Sequence, residues 1–179
     1  MPPFTVRRFA PHEWRTYRDL RLSALAEAPD AFGSTYDLEA ARNDAQWEDR
    51  VRLAASSEAQ FPALALTGET PVGLAWARRD DANPTLGHVF QFWVAPPSRG
   101  HGVGHLLMEA VIEWARTLGV ATLRLNVTPS HPAAARLYRR AGFVNHGTPT
   151  PLRPGSSIFA QPMQLTLEPP SRTRRPDER

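Results

Sequence analysis

Apolar residues recur along this chain with two periods, and the switches between them predict its elements. Residues 4–9 (FTVRRF) read as a short strand. Pro11 opens a helical stretch in which Trp14, Tyr17, Leu20, Leu22 and Leu25 form an apolar stripe that Pro29 stops. Residues 29–40 read as a loop, and a helical pattern resumes near Asp44 on Trp47, Val51 and Leu53. Residues 62–67 and 72–78 are β-like runs around Gly68-Glu69-Thr70-Pro71, the pattern of a hairpin. After the polar stretch 80–87 comes the apolar run 88–94 (HVFQFWV), which Pro96-Pro97 ends.

The next helix has the strongest periodicity: Val103, Leu106, Leu107, Ala110, Val111, Trp114 and Leu118, closed by Gly119. Residues 122–127 (TLRLNV) predict a strand, 132–140 a short helix, and Gly142-Phe143 the start of another strand. Residues 158–167 form a last strand, with Pro162 placing it at an edge or bulge. The order β-α-α-β-β-β-α-β-α-β-β implies an α/β domain with a mixed sheet, parallel near its centre, and helices on both faces. One domain over residues 1–167 is expected. The Pro- and Arg-rich stretch 168–179 has almost no apolar residue and is expected to be disordered.

Composition narrows the chemistry. With 179 residues and 41% hydrophobic content, the chain suits one complete core. All 21 basic residues are Arg, so the formal charge of +3 argues weakly for nucleic acid, and the basic pI reflects guanidinium groups that do not titrate near neutrality. Without Lys there is no Walker-type phosphate loop and no Schiff base. Without Cys there is no thiolate nucleophile, no disulfide and no Cys-ligated zinc, which suits a reducing cytoplasm. The first residues lack a signal-peptide apolar stretch, and no window of about 18 apolar residues reads as a membrane span.

The chemistry concentrates in Val94-Ala95-Pro96-Pro97-Ser98-Arg99-Gly100-His101-Gly102-Val103-Gly104. An apolar strand is joined to an amphipathic helix through three alternating glycines. Such a turn points successive N–H groups into one concavity at a helix N-terminus, where an anion is favoured. Arg99 adds a fixed cation, so the stretch reads as a pyrophosphate cradle. The spacing is G-x-G-x-G, not the G-x-G-x-x-G of dinucleotide folds.

Arg-Gly-x-Gly-x-Gly after a strand resembles motif A of the GNAT acetyl-CoA-dependent acyltransferases. The resemblance extends to residues 131–143 (HPAAARLYRRAGF), which are similar to that family's Leu-Tyr and Gly-Phe pattern, and it covers about residues 88–144. It implies an acyl-CoA N-acyltransferase fold: about seven strands in a central mixed sheet, flanked by about four helices. It also implies acetyl-CoA as co-substrate, held by Arg99, Gly100, His101, Gly102, Val103 and Gly104 at the pyrophosphate. Trp93 and Val94 would pair with the pantetheine arm as an added strand does, between two strands that splay apart. A main-chain N–H near Val94 would stabilise the oxyanion.

Tyr138 matches the family tyrosine that donates a proton to the departing thiolate; packing against Gly142-Phe143 is its structural alternative. His131 stands where the family commonly has Asn, and reads as a coenzyme contact, a base or a tolerated helix cap. The strand 88–94 lacks the carboxylate many relatives use as base. His88 as a direct base, Gln91 positioning a water, or no dedicated base are the open readings. Phe32, Tyr36 and Trp47 are candidates for lining the acceptor pocket. His101, His105 and Glu109 have the i, i+4, i+8 spacing of a metal site but read as the polar side of a helix, and no metal is expected.

The expected activity is acetyl transfer to a primary amine of a small molecule or protein, with a non-catalytic acyl-CoA-binding module as the alternative. A homodimer is compatible with either. No membrane partner is expected. An RNA partner ranks last, because residues 168–179 carry a net charge of only +1 and no aromatic residue.

Overall fold

The computed structural model describes residues 3–167, so the expectation for 168–179 lies outside the described residues. The strands are β1 (Phe4–Arg8), β2 (Gln60–Thr67), β3 (Thr70–Arg79), β4 (Leu86–Val94), β5 (Thr122–Val127), β6 (Val144–Asn145), β7 (Thr150–Pro151) and β8 (Phe159–Thr166). The helices are α1 (Trp14–Glu27), α2 (Tyr36–Ala40), α3 (Asp44–Ala55), α4 (Val103–Thr117) and α5 (Pro132–Arg140). The sheet runs β1-β2-β3-β4-β5-β8-β6, with β7 paired to β8. All pairings are antiparallel except β4 with β5, so the parallel contact expected near the centre is a single one.

Alternation along the strands explains why helices cover both faces. On β2 and β3, Ala63, Ala65, Ala75 and Ala77 share a core with Leu107, Val111 and Trp114 of α4. The intervening Leu64, Leu74 and Trp76 share a second core with Tyr17 and Leu25 of α1 and Trp47 and Val51 of α3. Small residues face α4 because the helix brings the bulk. A Cβ on Gly73 would come within 2.9 Å of the Trp93 carbonyl oxygen and 3.3 Å of Leu107.

The β2–β3 hairpin closes through Gly68-Glu69, Gly68 taking a φ of 58°. Helix α3 begins with a reciprocal Asn43–Gln46 capping box.

Three local expectations differ from the structure. The stretch 29–40 contains a 3₁₀ turn and the five-residue α2, capped by Thr35, whose side chain accepts from the Leu38 N–H. So short a helix leaves too few apolar positions to show a period. Leu53 is 59% exposed rather than part of the α3 stripe, which is Trp47, Val51 and Ala54. Pro162 lies inside β8, flanked by β5 and β6. Its carbonyl accepts from the His146 N–H (2.8 Å), so its missing N–H faces the end of the two-residue β6 and costs the β5 ladder nothing.

Candidate active site

The turn after β4 gives its glycines two different reasons. Gly100 and Gly102 have φ of 77° and 90°, and a Cβ on either would meet nothing within 4 Å. Backbone conformation, not space, requires glycine there. Gly102 is the N-cap of α4 and so lies just outside the helix. Gly104 is helical, and a Cβ on it would sit 3.1 Å from Leu137 of α5, so its role is close packing of two helices rather than approach to a ligand. No backbone partner is found among the described residues for the N–H groups of residues 100–105, while Leu106 N–H closes the first turn onto Gly102 O at 3.1 Å.

Arg99 departs from its expected role. Its guanidinium is forked onto the Glu27 carboxylate (2.6 and 3.1 Å), and its Nε donates to Val94 O (2.9 Å). The Trp93 indole N–H donates to the same carboxylate (3.0 Å). Arg99 therefore ties the end of α1 to the end of β4, and its charge is already matched. The hydrogen bond from Arg99 holds the Glu27 carboxyl below the usual carboxylate range against the opposing effect of burial.

Next to this turn β4 is bulged. Trp76 pairs with Phe90 and Leu74 with Trp93, so β4 carries one extra residue between these pairs. Gln91 takes a φ of 55° there, the only positive value for a non-glycine among the described residues. Its side-chain oxygen accepts from the buried Tyr17 hydroxyl (2.7 Å), which ties the bulge to α1. Strands β4 and β5 pair only from Leu86 to His88 against Thr122 to Arg124 and then diverge, as the resemblance implied. Because Ala95 N–H goes to Val72 O on β3 (2.8 Å), strand alternation turns the Val94 main chain to the opposite flank, towards β5. A cleft of about 1030 Å³ lies along this divergence.

Gln91, Trp93, Val94, Arg99, Gly100, Gly102, Gly104, His131 and Tyr138 all line the cleft. His88, His101 and Val103 do not. His88 sits on the paired half of β4 and contacts Asp80 (3.1 Å). His101 is exposed in the turn, and the Val103 side chain is in the core. His105 pairs with Glu109 on the exposed face of α4 (3.1 Å), and no group of three metal-ligating side chains occurs among the described residues.

Tyr138 reaches the cleft from α5, edge-on to Phe92 (5.7 Å) and tilted against Phe143 (6.1 Å), so it packs as well as faces the cleft. Burial raises its phenol well above the ordinary value, so it keeps its proton. His131 is the N-cap of α5 without a side-chain cap; its Nδ1 contacts Thr128 Oγ1 (3.0 Å) and Ser130 Oγ (3.2 Å).

The opposite end of the cleft holds a group that sequence reading missed. Arg21 (α1), Glu39 (α2) and Arg50 (α3) line it. Glu39 is 2% exposed and is contacted by Arg42 (3.1 Å), Arg21 (3.4 Å) and Arg50 (3.6 Å). Burial pushes its carboxyl up, but Arg50, Arg21 and Arg42 together hold it below the usual range. The one available signal was an arginine interrupting the apolar stripe of α1. Of the pocket candidates, Phe32 lines the cleft under the Arg21 guanidinium (4.7 Å), Tyr36 is 44% exposed and Trp47 is core.

Residues 16–143 match the Acetyltransferase (GNAT) family. The chain is 29% identical over 124 residues to a mycothiol acetyltransferase of Pseudarthrobacter chlorophenolicus, covering 68% of this chain and 36% of that protein. It spans less than half the length of the curated relatives it matches. Its fold superposes on a GNAT-family acetyltransferase from Streptococcus pneumoniae with a TM-score of 0.76 at 22% identity, over 93% of this chain and 100% of that one. A phosphinothricin acetyltransferase from Sinorhizobium meliloti, solved in complex with AcCoA, gives 0.74 at 19% identity, over 92% and 88%. No described helix is long and apolar enough to cross a membrane. A bulged β4 that parts from β5 beside a glycine-capped helix, in a chain whose residues 16–143 fit one family throughout, leads to one assignment: the chain belongs to the GNAT acetyltransferase family.

Proposed function

We propose that this protein is an acetyl-CoA-dependent N-acetyltransferase acting on a primary amine. The observation that carries this reading is the unpaired flank of β4 running into the open amides of residues 100–105. A pantetheine arm fits as a strand beside Val94, and a pyrophosphate fits the N-terminus of α4. Acetyl-CoA is the natural coenzyme because a relative of this fold was crystallised with it.

In the reaction, the neutral amine nitrogen attacks the thioester carbonyl carbon. The Val94 N–H receives the developing oxyanion. The C–S bond then breaks, Tyr138 gives its proton to the thiolate as the amide forms, and a proton from water in the cleft restores the phenol. The proton lost by the amine passes to water, since His88 is turned away and Glu39 is committed to three arginines. His131 borders the pantetheine path and, by this reading, orients it. With no cysteine in the chain, a reducing compartment such as the cytoplasm suits it.

The second reading, a non-catalytic acyl-CoA-binding module, is favoured by one observation: Glu39 is the only carboxylate lining the cleft among the described residues, and it is ion-paired. Acetyl-CoA at 100 times its dissociation constant is expected to add about 2.7 kcal/mol of stability, read as a raised Tm. Thiol release on addition of amines supports the enzyme. Binding without release supports the module, and no Tm response to any coenzyme A species overturns both.

A further inference from the structure

The acceptor end of the cleft has more positive charge than its own residues neutralise. Three guanidiniums, those of Arg21, Arg42 and Arg50, share the single carboxylate of Glu39. Arg21 is 2% exposed, its contact to Glu39 is a long 3.4 Å, and its Nε and Nη1 have no hydrogen-bond partner. A buried cation costs several kcal/mol unless a counter-charge and hydrogen bonds compensate it. Stacking on Phe32 offsets only part of that cost. Arg50 stands in front, about a quarter exposed, over the rings of Tyr17 and Trp76 (5.9 and 5.4 Å).

This cluster adjoins the reacting centre. Tyr17, under Arg50, donates to Gln91 in the β4 bulge, so one aromatic ring separates the surplus charge from the strand that would hold the thioester. Such a wall repels a polyamine and attracts a group of opposite sign. We propose that the acceptor is a small amine that also carries a carboxylate, contacted by Arg50 and held by the uncompensated charge of Arg21 behind it. The proposal rests on the acetyltransferase reading above and adds the substrate class.

The test pairs each of several amino acids with its carboxamide and with the amine lacking the carboxylate, and includes linear polyamines, with acetyl-CoA and thiol release as readout. The carboxylate member is expected to have a kcat/KM about 100-fold higher, in the range set by charge-assisted hydrogen bonds. Arg50→Gln is expected to remove that preference by raising the acceptor KM, with the acetyl-CoA dissociation constant unchanged. Arg21→Gln should do the same, its fold verified by the Tm shift with acetyl-CoA. Equal or better turnover of neutral amines or polyamines overturns the proposal while leaving the acetyltransferase reading intact. So does an Arg50→Gln protein that loses stability but keeps the preference, which would make the cluster a brace between helices. If no amine tested elicits thiol release, the proposal and the enzyme reading fall together, and absence of acetyl-CoA binding is recognised separately from the unmoved Tm.

Discussion

The two ends of the cleft are built on different principles. The end proposed for the coenzyme is a single run of chain, from the Gln91 bulge to Gly104, and offers mainly backbone. Even its arginine is occupied elsewhere, forked onto Glu27. The end proposed for the acceptor is the reverse: side chains of Arg21, Glu39 and Arg50, drawn from three helices, meeting where no local motif exists. A site made of amides accepts the invariant part of a reaction. A site made of charges selects the variable part. Substitutions that leave the backbone alone should therefore spare one end and damage the other.

Tyr138, between the two ends, tests whether they meet in one reaction. Tyr138→Phe removes only a hydroxyl, and loss of a positioned acid is worth about 10²–10⁴ in kcat. The acetyl-CoA dissociation constant from a Tm titration should not move. Full activity would transfer the proton to water and leave Tyr138 as packing against Phe92 and Phe143.

A smaller effect comes from the cradle itself. Gly102→Val places a β-branched residue at φ 90°, which costs about 1–2 kcal/mol in the left-handed region and turns the first amides of α4. Acetyl-CoA affinity is expected to fall about tenfold. Both His101→Ala and Arg99→Gln should stay within a few-fold of the parent in a direct binding measurement. The reverse order would mean that side chains, not amides, grip the coenzyme.

That contrast also decides what could be read from the linear chain. The glycine turn and the α4 stripe were legible because each depends on neighbours in sequence, whereas the parting of β4 from β5 was implied only by the family resemblance. The bulge at Gln91 was not, since nothing in HVFQFWV marks an extra residue; only the register against β3 does. Arg21 lies within the α1 stripe and drew no reading of its own, and Glu39 lay in a stretch read as loop, so their meeting required the tertiary fold. His88, one of the readings left open for a base, belongs to the right strand but to the paired half of it, which only the β4–β5 register shows.

The subtlest consequence lies in the link between the ends. Glu27, the last residue of α1, carries Arg99 and Trp93, and Arg99 holds its carboxyl below the ordinary range. A carboxyl depressed in the folded state contributes stability that is fully present above its unfolded value, about 4.3, and is lost as pH falls through the lower folded value. Glu13 on Arg7 and Glu39 are shifted the same way, so acid will weaken the whole protein. The Glu27 share is isolated by difference. Tm curves of the parent and Glu27→Gln should be separated at neutral pH and converge below about pH 4. A gap that stays constant with pH would show that the variant loses shape rather than charge. In that case the carboxylate does not bind Arg99 by its charge, and the join between the acceptor helix and the coenzyme turn rests on packing alone.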